Sequence, residues 1–414
     1  MKKILIISYY FPPCVGIAPN RPGAFANDFS KFHDVKVVTR HWKGNEDQWE
    51  DYLKSDPSPV ERVRVHEQLE VIKTPYISKV QKPNTFKTLF YLASGKLDPE
   101  IDAMQLLPVA SEVAQNWKPD VILVSTPPIN LVHVAFLLHK RFHIPFVVDF
   151  RDFENGILLN KNKQTDKWEK LVFRFREFHV MRWLKKSSGI STINSELQNY
   201  FSRKTGKETA LIFNGFEHAI FESFTPPDAF KSDRLVISMI GTIYPGQELE
   251  LFLEAFRNVL PGRPELLFKL IGTDTIQEIG DQVRDSIPAE NLLITKRIPR
   301  QTALKHLEES HLVWHPEWRG YVGMYSGKIF EYLGAKRTIL IAPSVGDVID
   351  RLLEETHSGK SFETSEEIAA FIVEKYDEWK RNGVIEYHGN DEAIAFYSRE
   401  NQSRRLLDLI EKHL

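Results

Sequence analysis

Three residues in the last third of the chain could together bind a phosphorylated, hydroxyl-bearing ligand: Ser326, Lys328 and Glu331. They lie in YSGKIFEYLGAKRTILIAP, where helical apolar spacing followed by a β-branched run predicts a helix and then a buried strand. Ser326 and Gly327 would begin the helix, where free N–H groups and the helix dipole attract phosphate, and Lys328 adds a positive charge. Glu331 could accept hydrogen bonds from ligand hydroxyl groups. The alternative is a glutamate that merely favours the positive end of the helix.

Other polar residues and glycines follow the predicted strands of the second half. Ligands of open parallel sheets bind beyond the carboxyl ends of the strands, and glycines there leave room beside the backbone. We therefore expect a second set of ligand-binding residues at these strand ends, namely Gly241, Thr242, Gly272, Arg297 and His315. His306, His311 and His315 lack the spacing of metal ligands on a helix face, so we predict no metal and no cofactor.

In the first half, the turn SYYFPPCVGIAPNRPG follows the first predicted strand. It is too long and too rich in proline for the three-glycine dinucleotide fingerprint. Gly16 could let the backbone approach a phosphate, and Arg21 could pair with one. A rigid turn stiffened by proline is the alternative for Gly16.

Two later strands of the first half end in STPP and in DFRDF. We assign Ser125 and Thr126 to binding of a second substrate. Three charges at one strand end are costly unless they are used, so we predict that Asp149, Arg151 and Asp152 bind hydroxyl groups or act as a base. An internal salt bridge between Arg151 and an aspartate is the alternative.

The 42% of hydrophobic and 27% of charged residues are typical of a soluble globular protein, and a length of 414 residues suggests two or three compact units. Met1–Gly215 contains 31 Lys/Arg and 23 Asp/Glu, whereas residues 216–414 contain 23 and 33, so the halves differ in charge sign. The apolar run in MKKILIISYYFPPC is too short for a signal sequence and predicts a first strand instead. The single cysteine, Cys14, suits a reducing cytosol, and we predict a cytoplasmic protein.

The fold class predicted is α/β, with two doubly wound Rossmann-like domains. Near-continuous apolar runs such as KKILIIS, DVKVVTR, RLVISMIG and HLVWHP read as strands, and helical periods separate them. We place the first domain at 1–215 and the second at 216–390, with a linker around FNGFEHAIFESFTPPDAF. A final helix at 391–414 would pack back on the first domain.

Two basic segments that contain aromatic residues could contact an anionic membrane surface, at 76–96 and 161–186. The second holds nine basic and three acidic residues. Each Lys or Arg near such a surface contributes about 1 kcal/mol. The contact would be peripheral, on the inner face of the cell membrane, and a solvated helix face is the alternative. Nucleic-acid binding would need a more uniformly basic domain.

Taken in order, several motifs resemble those of GT-B glycosyltransferases of the family 4 kind, over nearly the whole chain. They are ILIISYYFPPCVGIAPNR, STPP, VVDFRD, FNGF, MIGTIYPGQELELFLEAF, LIG and GKIFEYLGAKRTIL. The resemblance implies two facing domains. It also implies retaining transfer of a sugar from a nucleotide-diphosphate donor, without a bound metal, to a polysaccharide, lipid-linked or other envelope acceptor.

The resemblance also assigns roles to residues. Glu331 matches the ribose-binding glutamate of the family, and Gly16 matches the glycine of the first loop beside the donor phosphates. The stretch DFRD falls where many relatives carry a residue near the acceptor. In such a reaction the leaving phosphate itself can take the acceptor's proton, so the resemblance implies no dedicated nucleophile.

The chain departs from the family pattern at three positions. A second glutamate eight residues before Glu331 would fall at Gly323, and the usual Arg and Lys are replaced by Thr242 and Gln247. We expect Lys328, Arg297 or Arg21 to supply the missing positive charge. These departures keep two alternatives open: a non-catalytic binding or scaffold protein of the same fold, and a sugar-nucleotide epimerase.

Overall fold

Fourteen short strands and the helices between them form two α/β units in the computed structural model, which describes residues 1–46, 49–78, 101–153 and 155–414. The first unit comprises Met1–Asn214 and Arg399–Leu414, and the second comprises Gly215–Ser398. The chain therefore passes between the units twice.

The first unit contains an eight-stranded sheet in the order β3-β4-β2-β1-β5-β6-β7-β8. Neighbouring strands are parallel, except that β3 runs antiparallel to β4. The strands are β1 (Lys3–Ser8), β2 (Asp34–Arg40), β3 (Glu61–His66), β4 (Leu69–Thr74), β5 (Val121–Thr126), β6 (Phe146–Phe150), β7 (Gly189–Thr192) and β8 (Thr209–Leu211).

Helices connect these strands as expected for parallel pairing, which needs a crossover between successive strands. They are α1 (Asn20–Phe29), α2 (Trp49–Leu53), α3 (Leu107–Trp117), α4 (Asn130–Phe142), α5 (Asn155–Leu158), α6 (Lys167–Leu184), α7 (Ser195–Thr205) and the C-terminal α16 (Arg399–Glu411). A 3₁₀ turn, Ala103–Leu106, precedes α3.

The C-terminal helix α16 packs against α1, and both cover one face of the first sheet. Phe25 and Phe29 of α1 share a buried cluster with Leu406 and Ile410 of α16. Burial of such side chains stabilises by about 1.5–3 kcal/mol each, which accounts for the return of the chain to this unit.

The second unit contains a six-stranded, fully parallel sheet in the order β11-β10-β9-β12-β13-β14. Its strands are β9 (Leu235–Ile240), β10 (Leu266–Ile271), β11 (Leu292–Ile294), β12 (Leu312–Pro316), β13 (Thr338–Ala342) and β14 (Gly359–Ser361). Its helices are α8 (His218–Phe221), α9 (Leu249–Val259), α10 (Gln277–Ser286), α11 (Arg300–Glu308), α12 (Gly327–Gly334), α13 (Val348–Thr356), α14 (Ser365–Asn382) and α15 (Asp391–Phe396). A 3₁₀ turn, Ala289–Asn291, precedes β11.

Aromatic side chains fill the core of the second unit beneath α9. The rings of Phe252 and Trp314 stack with centroids 4.4 Å apart, and Phe268 lies 4.7 Å from Phe252. Helix α9 reaches this core because its apolar residues recur at helical spacing, so they all lie on one face.

The two parallel α/β sheets confirm the predicted fold class, and two local features differ from expectation. The antiparallel hairpin of β3 and β4 has no counterpart among the predicted strands. The predicted final helix at 391–414 consists of two helices, because α15 ends at Phe396 and helical pairing is interrupted where Phe216 pairs with Ser398. The second of them, α16, packs back on the first unit as predicted. Most of the predicted basic segment 76–96, from residue 79 onward, lies outside the described residues.

Among the described residues, no helix is both long enough and apolar enough to cross a membrane.

Candidate functional site

The start of α12 lacks a side-chain cap. Ser326 stands at the N-cap position in an extended conformation, but its hydroxyl contacts Nε2 of His315 instead of capping the helix. Within the described part of the chain, no acceptor takes the N–H groups of Gly327, Lys328 or Ile329. Unpaired N–H groups at a helix N-terminus favour an anion.

Lys328 reaches from α12 across the end of β9. Its ammonium group donates to the carbonyl oxygen of Thr242 at 2.7 Å, and its stem passes so close that a Cβ built on Gly241 would lie 2.9 Å from Cε. Burial lowers the pKa of the ammonium group to about 8, and the negative charge of Glu317 acts in the opposite direction. Lys328 forms no ion pair with a described residue, so two of its three N–H donors remain for a ligand.

Two glycines let the loops after β9 and β10 approach each other. Gly241 and Gly272 have φ of +105° and +83°, which L side chains rarely adopt. A Cβ on Gly272 would lie 3.6 Å from Cα of Gly241, and the Thr273 hydroxyl donates to the Gly241 carbonyl at 3.0 Å. The predicted strand-end residues Gly241, Thr242 and Gly272 therefore lie together with Lys328.

Glu331 lies one helical turn after Lys328 and shares its face of α12, since residues three apart are neighbours on a helix. One carboxylate oxygen accepts from Nη2 of Arg300 at 3.0 Å. The next residue, Tyr332, fixes this part of α12 to the sheet, because its side chain is buried and its hydroxyl accepts from the Ile240 N–H at 3.0 Å. The other Glu331 oxygen has no hydrogen-bond donor among the described residues. Arg297, in the middle of the loop between β11 and α11, is exposed.

His315, at the end of β12, is buried beneath this group and not on its surface. Its Nε2 contacts Ser326, and its Nδ1 lies 2.9 Å from a carboxylate oxygen of Glu317, off the direction of a hydrogen bond. His315 thus supports the start of α12 from below. Sequence reasoning missed Glu317 and Arg300, although Glu317 directly follows a predicted strand and that position alone could have flagged it.

Gln247 closes a loop. Its side-chain amide donates to the Pro316 carbonyl at 2.7 Å, and its side-chain oxygen accepts from the Tyr244 N–H at 2.9 Å. The family that the chain resembles usually has a cation at this position. In this chain the neutral side chain of Gln247 instead joins the loop after β9 to the end of β12.

Gly323 has φ of +70°, and its N–H donates to the carboxylate of Asp347. This conformation disfavours every residue with a Cβ other than Asn and Asp. The backbone therefore explains why the position holds glycine instead of glutamate.

Two further histidines of the predicted set serve the core or the surface. Nδ1 of His311 accepts from the Val236 N–H at 3.1 Å, and burial lowers the pKa of His311 to about 4. His306 lies on α11 near Glu309. Within the described ranges, no three His, Cys, Asp or Glu side chains are grouped as metal ligands would be.

In the first unit, Arg21 and Asp149 form a buried bidentate ion pair, 3% and 0% exposed. Nη2 and Nε of Arg21 donate to the two carboxylate oxygens at 2.6 and 2.8 Å, and Nη1 donates to the Phe213 carbonyl at 2.7 Å. Ser125 and Ser191 donate to the same carboxylate at 3.1 and 2.7 Å. The pair therefore joins α1 to three neighbouring strands and to the residues after β8.

Arg151 pairs with its neighbour Asp152, with Nε and Nη2 both 3.0 Å from one carboxylate oxygen. This is the internal salt bridge considered from the sequence. Thr126, at the end of β5, is buried, and its hydroxyl lies 3.4 Å from the Asp149 carbonyl. Gly16 has φ of +120°, and a Cβ there would lie 3.1 Å from the Tyr52 hydroxyl, so this loop requires glycine.

Solved structures resemble the whole chain, although no known family model and no curated protein sequence matches it significantly. Sucrose-phosphate synthase from Thermosynechococcus elongatus superposes with a TM-score of 0.63 at 13% identity, over 100% of this chain and 99% of that chain. HepE of Anabaena, in complex with UDP and glucose, gives 0.61 at 14% identity over 100% of both chains. The UDP-GlcNAc 2-epimerase of Neisseria meningitidis, bound to UDP-GlcNAc, gives 0.56 at 12% identity over 99% and 100%.

These similarities establish the fold: the chain has two parallel α/β sheets of the GT-B kind, as the sequence predicted. Glycosyltransferases and a sugar-nucleotide epimerase both occur among the similar structures, so the fold is compatible with either activity.

Proposed function

We propose that this protein is a glycosyltransferase that binds a nucleotide-diphosphate sugar at the carboxyl ends of β9, β10 and β12. The main support is the arrangement at the uncapped start of α12. Lys328 lies there with two unused N–H donors, one helical turn before the Glu331 carboxylate. An anion-binding helix start with a hydroxyl acceptor 3 residues later suits a diphosphate joined to a ribose.

In this proposal the diphosphate binds the N–H groups of Gly327 and Lys328 and the Lys328 ammonium group. Gly241 and Gly272 leave the backbone open beside it. Glu331 accepts from ribose hydroxyls, and Arg300 fixes the orientation of its carboxylate from the side. His315 and Ser326 hold the helix start in place.

The nucleotide is proposed to be UDP, because HepE and the epimerase have been crystallised with UDP-containing ligands on the same fold. Gly16 and Arg297 remain proposed donor contacts. Retention of configuration, independence from metal and an envelope saccharide as acceptor follow from the resemblance of the sequence motifs and remain proposals.

For the first unit we propose two kinds of role. Asp149, Arg21 and Ser125 use their polar atoms on one another, which supports a positioning role for the network instead of direct contact with substrate. Arg151 and Asp152 are more accessible and remain the proposed acceptor-binding or base residues. Thr126 is buried, so for this residue we propose a positioning role beside Asp149.

A thermal-shift screen of the purified protein against UDP, GDP, ADP and their glucose derivatives tests nucleotide binding, because a ligand stabilises only the state that it binds. We expect UDP and UDP-glucose to raise the melting temperature. Absence of a shift with all of these ligands would contradict the proposal.

The reaction is tested separately by proton NMR. Transfer or slow hydrolysis of UDP-glucose with a lipid extract present supports a glycosyltransferase. Conversion of UDP-GlcNAc to a second UDP-sugar in the absence of an acceptor would identify an epimerase instead, the activity that the Neisseria structure represents.

We further propose that α6 places the protein on an anionic membrane surface. Its exposed face combines large apolar side chains, Leu171 and Phe178, with cations. Phe178 is 62% exposed. Residues seven apart lie on the same side of a helix, so Leu171 and Phe178 form one stripe. The cations beside it are Lys167, Lys170, Arg174 and Arg182.

Charge complementarity supports an anionic lipid surface as the partner of α6. None of the four cations beside the stripe pairs with a carboxylate in the described part of the chain. The two acidic residues of the helix, Glu169 and Glu177, are directed to its N-cap and to Lys204. A face with apolar side chains and positive charges only is typical of helices that lie in a membrane interface.

A further inference from the structure

A largely buried glutamate whose carboxylate has no hydrogen-bond donor lies beside the proposed phosphate site. Glu317, the residue after β12, is 6% exposed. No described residue donates a hydrogen bond to it, and its one ion-pair contact is with Nδ1 of His315, off the hydrogen-bond direction. Glu317 forms no ion pair with Lys328, but its negative charge acts to raise the pKa of the Lys328 ammonium group.

The side chain of Glu317 is largely buried, but its carboxylate oxygens are not among the fully buried atoms that lack a partner, so a ligand can reach them. A carboxylate in such a setting is stabilised by hydrogen-bond donors. Lys328 and Glu317 have opposite charges, and each keeps unused hydrogen-bonding capacity. A ligand with a negative group for Lys328 and hydroxyl donors for Glu317 would satisfy both. The sugar end of a nucleotide-diphosphate sugar has this chemistry, since its diphosphate continues directly into a polyhydroxylated ring.

We propose that Glu317 binds hydroxyl groups of the donor sugar and selects a neutral, hydroxyl-rich sugar over one that bears a carboxylate. The assignment rests on the proposed function and deepens it. Glu317 is the only acidic residue between β12 and Glu331. It therefore supplies, from a different position in the same loop, a carboxylate that the positive φ of Gly323 excludes at position 323.

Isothermal titration calorimetry with UDP and with UDP-glucose tests the assignment in the full-length protein. In Glu317→Gln, we expect the affinity for UDP to stay within about twofold of wild type and the affinity for UDP-glucose to fall about tenfold, the loss of roughly one charged hydrogen bond. Glu254→Gln, on the exposed side of α9, is the matched control and should change neither value. Equal changes for the two ligands in Glu317→Gln would overturn the assignment.

A second measurement needs no variant, in case Glu317→Gln does not fold. Wild-type protein should bind UDP-glucuronate at least about tenfold more weakly than UDP-glucose, because the sugar carboxylate would face Glu317. Equal affinity would overturn the proposed selectivity. If wild-type protein bound neither UDP nor UDP-glucose, the proposed function itself would be overturned. This outcome differs from an equal change for the two ligands in Glu317→Gln and from equal affinity for the two UDP-sugars.

Discussion

Arg21 and Asp149 are 128 residues apart in sequence and form a bidentate ion pair with no appreciable exposure. The other hydrogen bonds of the pair also join buried groups. The hydroxyls of Ser125 and Ser191 donate to the Asp149 carboxylate, and Arg21 donates to the Phe213 carbonyl. The pair therefore holds the ends of β5, β6 and β7 against α1, and it fixes the loops that follow these strands.

Replacing Asp149 with Asn should strongly destabilise the first unit, because the Arg21 charge would remain buried without a partner. We expect the free energy of unfolding to fall by about 3–5 kcal/mol, measured by urea denaturation followed by circular dichroism. Arg151→Gln is the control, since its pair with the half-exposed Asp152 should contribute about 1 kcal/mol or less. Similar losses in the two variants would contradict the structural role of the Arg21–Asp149 pair.

Lys328 should make nucleotide binding depend on pH in a defined direction. With a pKa of about 8, the ammonium group is charged below pH 8 and loses its charge above it. The affinity for UDP should therefore fall about tenfold between pH 7 and pH 9, as the protonated fraction falls. Calorimetry at pH 7, 8 and 9 measures this change.

Lys328→Met is the comparison for the pH series. It should bind UDP about tenfold or more weakly at pH 7, because a charge-assisted hydrogen bond is lost, and its affinity should not fall further toward pH 9. A wild-type affinity that does not change over this range, or a Lys328→Met variant with the same pH dependence, would remove Lys328 from the phosphate site.

The effect of substituting Gly323 should depend on how readily the new residue adopts a positive φ. Its φ of +70° predicts that Gly323→Ala lowers the free energy of unfolding by about 1–2 kcal/mol, whereas Gly323→Asn loses less because Asn adopts this region more readily. Thermal denaturation of the two variants decides the order. If Ala were tolerated better than Asn, backbone strain would not explain the missing glutamate.

Association of α6 with anionic membranes should depend on both its charges and its apolar stripe. Lys170→Gln with Arg174→Gln should lower the partition onto phosphatidylglycerol vesicles about 30-fold, since each cation contributes about 1 kcal/mol. Leu171→Ser with Phe178→Ser should also lower it. Vesicle co-sedimentation measures both effects.

The matched control for the apolar stripe is Phe32→Ser, which removes an exposed aromatic ring elsewhere on the first unit. It should leave the partition unchanged, and vesicles of neutral lipid should bind none of the variants appreciably. Wild-type protein that sedimented equally with neutral and anionic vesicles, or not at all, would contradict the proposed membrane contact.

The strands and helices of the two sheets could largely be predicted from the sequence, because buried parallel strands have continuous apolar runs and covering helices have helical spacing. The predicted runs DVKVVTR and 130–142 coincide with β2 and α4. The β3–β4 hairpin could not be predicted in this way, because β3 is an exposed edge strand with alternating charges and no apolar run.

The candidate site was only partly predictable. A motif with local spacing, such as Ser326 to Glu331, can be recognised in the sequence because all its residues lie on one helix. The partnership of Arg21 with Asp149, the contact of Arg300 with Glu331 and the burial of His315 depend on residues far apart in the chain. Pairings of this kind depend on the order of the strands in the sheets, and the spacing of residues in the sequence does not reveal that order.

We propose that the carboxylate of Glu331 and the start of α12 bind a nucleotide through its ribose and diphosphate. The most direct test is calorimetry of UDP and 2′,3′-dideoxy-UDP with wild-type protein and with Glu331→Ala. Wild type should prefer UDP by about tenfold or more, because the ribose hydroxyls donate to Glu331, and Glu331→Ala should bind both ligands equally. Equal affinities in wild type, or an unchanged preference in Glu331→Ala, would contradict the account.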